Sequence, residues 1–137
     1  MKKIISLILA ALMLLSLAAC GGTADDGKYT IGICQIEPHP ALDAATKGFK
    51  DALVAKLGDK VTFIEQNAAG DSNTCATIVN GFVAAEVDLI MANATPALLA
   101  AANATTTIPV LGTSVTDYAD TFAGSIPANV SGTSDAV

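Results

Sequence analysis

The sequence predicts an α/β fold, an open parallel sheet with helices on both faces. Short β-rich runs at 29–36, 61–66, 87–92 and 108–112 alternate with segments whose apolar residues recur at helical spacing. Ala, Val, Ile and Leu are abundant, which suits strands buried on both sides. The connections are short, so successive strands lie parallel and join by right-handed crossovers. No internal repeat is present beyond this strand–helix unit.

The elements follow in order. Tyr29 to Ile36 is the first strand. After Pro38 and Pro40, Leu42, Ala45, Phe49, Leu53 and Leu57 form a helical stripe. Pro40 suits the first helical position, Asp43 the positive end of the helix dipole, and Gly58 the stop. Val61 to Gln66 is the second strand, and the loop from Asn67 to Ser72 leads into a helix carrying Ile78, Val79, Phe82 and Val83. Val87 to Ala92 is the third strand. Thr95 is expected to cap the next helix, with Pro96 in its first turn and Leu98, Leu99 and Ala102 along it. Ile108 to Gly112 is the fourth strand, Thr113 to Asp117 a loop, and 126–137 holds one further short strand.

The N-terminus has a different character. Lys2 and Lys3 precede an uncharged apolar run from Ile4 to Ala19, too short to span a bilayer comfortably but suited to a secretory signal. Leu17-Ala18-Ala19-Cys20 resembles the end of a bacterial lipoprotein signal, in which the cysteine is lipidated and becomes the first residue. Two acyl chains, at roughly 0.8 kcal/mol per buried methylene, anchor durably where one does not. The expected organisation is therefore a signal at 1–19, a lipidated Cys20, a polar tether at 20–28 and one domain at 29–137 on the extracytoplasmic face of the membrane.

Charge excludes one class of partner. Without the signal, five lysines and no arginine face thirteen acidic residues, for a formal charge of −8, so nucleic acid is not an expected partner. Cys34 and Cys75 remain in a compartment where a disulfide is permitted. Two small buried residues, one in a strand and one in the first turn of a helix, are expected in preference to a bridge, since a sequence does not give the Cα separation. A single His39 and no CxxC argue against zinc, and no other metal or cofactor is implied.

In an open parallel sheet, ligands bind beyond the carboxyl ends of the strands, near the reversal of strand order. Four loops leave those ends, at 35–39, 67–72, 93–96 and 113–117, and all are rich in small hydroxyl and amide side chains. Each opens onto a helix start, whose unpaired N–H groups attract a carboxylate. The candidate ligand-binding residues are Ile36, Glu37, Pro38, Asn67, Asp71, Asn93, Thr95, Thr116 and Asp117. A zwitterion would place its carboxylate near Thr95 and its ammonium near Asp117 or Asp71. Thr95 can cap and bind at once, Asp71 reads first as a cap, and Asp117 is open between the two roles. His39 reads as a rim or packing residue, and Tyr118 as a surface aromatic or a ring for an apolar ligand. Catalysis finds no support: there is no G-x-S-x-G elbow, Walker loop, dinucleotide glycine pattern or metal-spaced His pair.

These segments, in this order, resemble one family. His39-Pro40-Ala41-Leu42-Asp43, Gly48-Phe49, Asn67-Ala68-Ala69-Gly70-Asp71, Asp88-Leu89-Ile90, Ala94-Thr95-Pro96-Ala97, Ile108-Pro109-Val110 and Val115-Thr116-Asp117 are similar to the ABC-transporter solute-binding lipoproteins that include tryptophan and tyrosine binders. The resemblance implies a type I periplasmic-binding-protein lobe with flavodoxin-like strand order. It also implies a non-enzymatic role: capture of an extracellular solute, often an aromatic amino acid, between two lobes, and its delivery to a membrane permease. By the same resemblance the loops at Ile36–Pro38, Thr95 and Thr116–Asp117 line the cleft, and Asn129-Val130-Ser131-Gly132-Thr133 marks the crossing to a second lobe. Tyr118 stands where many members have proline. The length leaves room for one lobe, expected as a truncated product in preference to a natural half-protein. Three alternatives remain: a sugar- or nucleoside-binding lobe, a small flavodoxin-like surface lipoprotein of redox or enzymatic function using Cys34 and Cys75, and a merely structural lipoprotein. The absence of Trp and Arg weighs against the sugar.

Overall fold

The computed structural model describes residues 27–135. Strands β1 (Tyr29–Gln35), β2 (Val61–Asn67), β3 (Leu89–Asn93), β4 (Val110–Val115) and β5 (Val130–Ser134) form a single sheet in the order β2-β1-β3-β4-β5, every neighbouring pair parallel. Helices α1 (Pro40–Leu57), α2 (Ser72–Ala84), α3 (Thr95–Ala104) and the single turn α4 (Tyr118–Thr121) connect them. Strand order reverses between β1 and β3, as the flavodoxin-like expectation requires.

Period-two alternation divides the core between two faces. Ile31, Ile33 and Met91 point to one face, where Phe49 and Leu53 of α1 cover them. Cys34, Ile90, Ala92 and Val110 point to the other, beneath Cys75, Ile78, Val79 and Phe82 of α2 and Ala97, Leu98 and Ala101 of α3. Gly32 lies under Phe82: a Cβ built there would stand 2.6 Å from the ring, so only glycine lets α2 settle at this depth. Burying a phenylalanine of this kind contributes about 2–3 kcal/mol.

Helix ends explain themselves locally. Pro40 opens α1, and the Nδ1 of His39 accepts from the Ala41 amide at 3.2 Å. His39, exposed at the rim, is thus also a cap, because imidazole at an extended position before Pro40 reaches the first free N–H. Gly58 closes α1 at φ 60°. Asp71 caps α2 as expected, accepting from the Asn73 amide and the Thr74 hydroxyl, both at 2.9 Å.

β1, β2 and the end of β3 differ from the sequence reading by one residue, and the larger departures lie at the start of β3, in β4 and at α4. β3 begins at Leu89 rather than Val87, because Asp88 is occupied with Thr30: their backbones bond at 2.8 Å and the Asp88 carboxylate accepts the Thr30 amide at 2.6 Å. β4 runs from Val110 to Val115 rather than 108–112. Pro109 has no N–H to give a ladder, and Thr113, Ser114 and Val115, expected in a loop, stay in the strand through a bulge against β5, with Ser114 at φ 56°. The turn α4 follows the loop at 113–117, where the sequence leaves Asp117 open between capping and binding. It forms where Asp117 caps the Asp120 amide at 3.0 Å and Tyr118 packs toward the core.

Among the described residues no helix is long and apolar enough to cross a membrane. The signal at 1–19, Cys20 and the tether as far as Asp26 lie outside the described residues.

Candidate functional site

The carboxyl ends of β1 to β4 converge on one rim, and backbone hydrogen bonds tie their loops side by side. Gly70 donates to the Ile36 carbonyl at 2.7 Å, Ile36 to Asn93 at 3.3 Å, and Ala94 to Thr113 at 2.9 Å. The Ser134 hydroxyl donates to the Thr116 carbonyl, which joins the next strand to the row. The nine sequence candidates therefore share one edge of the sheet, in the spatial order of its strands. Glu37, Pro38, Asn67, Asp71, Thr116 and Asp117 are exposed along it, and Ile36 and Thr95 are half-buried.

Asn93 is placed differently. It is fully buried, and its Nδ2 donates to the Leu42 carbonyl at 2.8 Å and to the Thr46 hydroxyl at 2.9 Å, with the Gln35 Oε1 at 3.3 Å. Thr46 also donates to Gln35 Oε1 at 2.8 Å, and Gln35 Nε2 donates to the Glu37 carbonyl at 2.8 Å and Asp43 Oδ1 at 2.7 Å. This knot locks the ends of the two central strands to the first turns of α1 and fixes the Ile36–Pro38 turn. Asn93 Oδ1 is buried without a hydrogen-bond partner. Gln35, Asp43 and Thr46 were not among the sequence candidates for the site. The available signal was a polar side chain at the end of each of two apolar strands and a threonine on the face of the helix that carries Leu42 and Phe49.

The rim also sorts the helix starts. His39, Asp71 and Asp117 cap α1, α2 and α4 with their own side chains. The start of α3 has no side-chain cap. Thr95, expected there as the cap, is instead the first helical residue, and the capping position falls to Ala94. The reason is the sharp backbone turn at Ala94, φ 86° and ψ 157°, which ends β3 and starts α3 within a single residue. That region is essentially reserved for glycine and costs a residue with a Cβ about 1–3 kcal/mol. Ala94→Gly is therefore expected to raise stability by about 1 kcal/mol after the added freedom of the unfolded chain is subtracted. A urea titration that finds Ala94→Gly no more stable than the parent contradicts the strain.

Electrostatics at the rim are acidic. Asp71 is held below the ordinary carboxylate range, first by the Asn73 amide and then by the Thr74 hydroxyl. A lowered folded-state value means the cap is present above that range and is lost as pH falls through the folded value. Glu37 reaches across to the Asn67–Asp71 loop, with Oε2 3.9 Å from where a Cβ on Gly70 would stand. Asn67 Oδ1 accepts from the Ala69 amide at 2.9 Å, which shapes the same loop. Among the described residues no three His, Cys, Asp or Glu side chains gather as metal ligands would.

Tyr118 is neither a surface aromatic nor a ring open to a ligand. It packs against the core, its hydroxyl is buried without a partner, and burial pushes its pKa up. A Cβ on Gly112 or Gly132 would come within 2.3 Å or 2.1 Å of that hydroxyl, so the ring lies over the two strands at their glycines.

Comparison with known proteins agrees with this architecture. The family described as ABC transporter substrate binding protein matches residues 30–137. A tyrosine-binding protein of Clostridioides difficile (strain R20291) is 40% identical over 156 aligned positions, covering 98% of this chain and 45% of that protein. Two solved structures superpose on the lobe. A ligand-free, open substrate-binding protein with adhesive properties from Clostridium difficile has a TM-score of 0.75 at 41% identity, over 80% of this chain and 39% of that one. An ABC domain from Streptococcus pneumonia in complex with L-Trp has a TM-score of 0.73 at 35% identity, with the same coverage. The chain thus spans less than half the length of these relatives. A parallel sheet in flavodoxin-like order, a polar rim at its strand ends and a family match over most of its length make this chain a member of the ABC transporter substrate-binding protein family.

Proposed function

We propose that this chain is a capture lobe of an extracytoplasmic, lipid-anchored binding protein that delivers an aromatic amino acid to an ABC permease without altering it chemically. The observation that carries the reading is the uncapped start of α3 between Asn93 and Thr95, set in a rim whose other helices are already capped. Free N–H groups and the positive end of α3 suit a carboxylate, with the Thr95 hydroxyl beside them. Asp117 and Glu37, exposed on the same rim, suit an ammonium. The names of the relatives support the ligand class, one binding tyrosine and another solved with L-Trp.

Affinity follows from how much of the ligand one lobe can touch. If an intact two-lobed protein binds at micromolar level, about −8 kcal/mol, half the contacts leave roughly millimolar binding. Calorimetry with L-tyrosine and L-tryptophan is expected to give that range, with binding lost for tyramine, which lacks the carboxylate, and for 3-(4-hydroxyphenyl)propionate, which lacks the ammonium. Tighter binding of a monosaccharide or nucleoside than of any amino acid would replace the ligand class. The anchor has its own test. Metabolic labelling with a fatty acid is expected to mark the chain and to vanish in Cys20→Ala; equal labelling of both removes Cys20 as the attachment point.

A further inference from the structure

Cys34 and Cys75 are buried and are not among the rim candidates, yet the fold brings them face to face. Phe82 of α2 sits on Gly32 of β1. Two residues along β1, on the same face, is Cys34; seven residues back along α2, two turns and on the same side, is Cys75. Because α2 runs antiparallel to the strand it covers, both steps lead to the same end of the contact. Both cysteines are 0% exposed, lie in one core cluster and are unbridged in this structure. After burial, the neighbouring Cys75 is the next cause that raises the Cys34 thiol.

We propose that Cys34 and Cys75 are a disulfide-forming pair that ties the first turn of α2 to the carboxyl end of β1. The bond would hold the Asn67–Asp71 loop against Ile36, its hydrogen-bonding neighbour on the rim. In forming it, two S–H bonds break and one S–S bond forms. The two protons and two electrons pass to an external low-molecular-weight disulfide, whose S–S bond breaks to leave two thiols. Burial, then the neighbouring Cys75, pushes Cys34 up to about 12, and burial raises Cys75 as well. Little thiolate exists in the folded chain near neutral pH, and no oxidant reaches it. Oxidation is therefore slow once α2 is docked and fast while α2 is lifted, which makes the bond a structural strap set during folding rather than a redox centre.

The test uses the full chain carrying Cys20→Ala, so that only these two thiols remain. It is incubated with oxidised glutathione at mildly alkaline pH in enough urea to loosen α2, then returned to buffer. The expected product has a mass lower by two hydrogens, yields a proteolytic fragment joining Cys34 to Cys75, and accepts no maleimide after unfolding. A closed loop of about 40 residues should raise Tm by roughly 10 °C or more, and a reductant should abolish the rise. Recovery of both thiols as maleimide adducts after the same treatment overturns the proposal. So does a cross-linked form that melts at or below the reduced chain, because it shows a geometry the fold does not accept. This inference does not depend on what the rim binds.

Discussion

Gly32→Val is expected to cost the lobe about 3 kcal/mol or more, lowering Tm by roughly 12 °C or more. A Cβ at Gly32 would stand 2.6, 2.7 and 3.1 Å from three carbons of the Phe82 ring, and valine adds two methyls beyond it. Neither side can yield cheaply. β1 is paired on both edges, by β2 and β3, so it cannot shift without breaking two ladders. Phe82 is buried among Ile78, Val79 and Leu98, so its ring has no open volume to enter. Phe82→Ala alone is expected to cost about 3–5 kcal/mol through the cavity it leaves. Combined with Gly32→Val, which partly fills that cavity, the loss should fall short of the sum by about 1 kcal/mol or more. Equilibrium urea unfolding of the four proteins measures this, and strict additivity would mean the two residues do not press on each other.

Asn93→Asp carries the second large effect, and its sign depends on pH. The Asn93 amide nitrogen faces three acceptors, the Gln35 Oε1, the Leu42 carbonyl and the Thr46 hydroxyl oxygen. Gln35 cannot turn its own amide to help, because its Nε2 is committed to the Glu37 carbonyl and to Asp43. A carboxylate in this place is buried, surrounded by lone pairs and close to the charge of Asp43. The expected cost at neutral pH is about 3–5 kcal/mol, the range for an uncompensated buried charge. Burial and the like charge both raise the folded-state pKa of the new acid above its unfolded value of about 3.9. The protonated form can donate where Asn93 did, so the folded variant binds a proton the unfolded chain has lost. Its stability should therefore approach the parent's below about pH 4 and fall away as pH rises through the raised value. Denaturation series at several pH values decide it; a deficit independent of pH would mean the side chain has found water.

Much of the fold was legible because its signals are local. Pro40, Gly58 and Asp71 each set a helix end by their own backbone or side-chain chemistry, and the structure places those ends where the residues require. The strands were legible because uninterrupted apolar runs between caps leave few alternatives. What escaped depends on contacts distant in sequence. The bulge that keeps Thr113–Val115 in β4 depends on β5, and the positive φ that moves the cap from Thr95 to Ala94 depends on the Ala94–Thr113 bond across the sheet. Gln35, Asp43 and Thr46 join Asn93 only after β1, α1 and β3 meet. The location of the rim was legible for a topological reason, since the reversal of strand order marks it whichever side chains decorate it. The division of labour among those side chains was not. Asn93 and Thr95 are close in sequence, yet one is sealed beneath α1 and the other stands half-open at the edge.

That four loops from the ends of β1 to β4 make a single binding face is most directly tested by amide chemical-shift mapping. L-tryptophan would be titrated into the isotopically labelled chain up to about 10 mM, above the millimolar range expected for one lobe. The account predicts saturable shifts of the Ile36, Gly70, Thr95 and Asp117 amides that fit one dissociation constant. Shifts confined to the opposite rim, around Gly58, Asp88 and Asn129, or no shift anywhere on the chain, would contradict it.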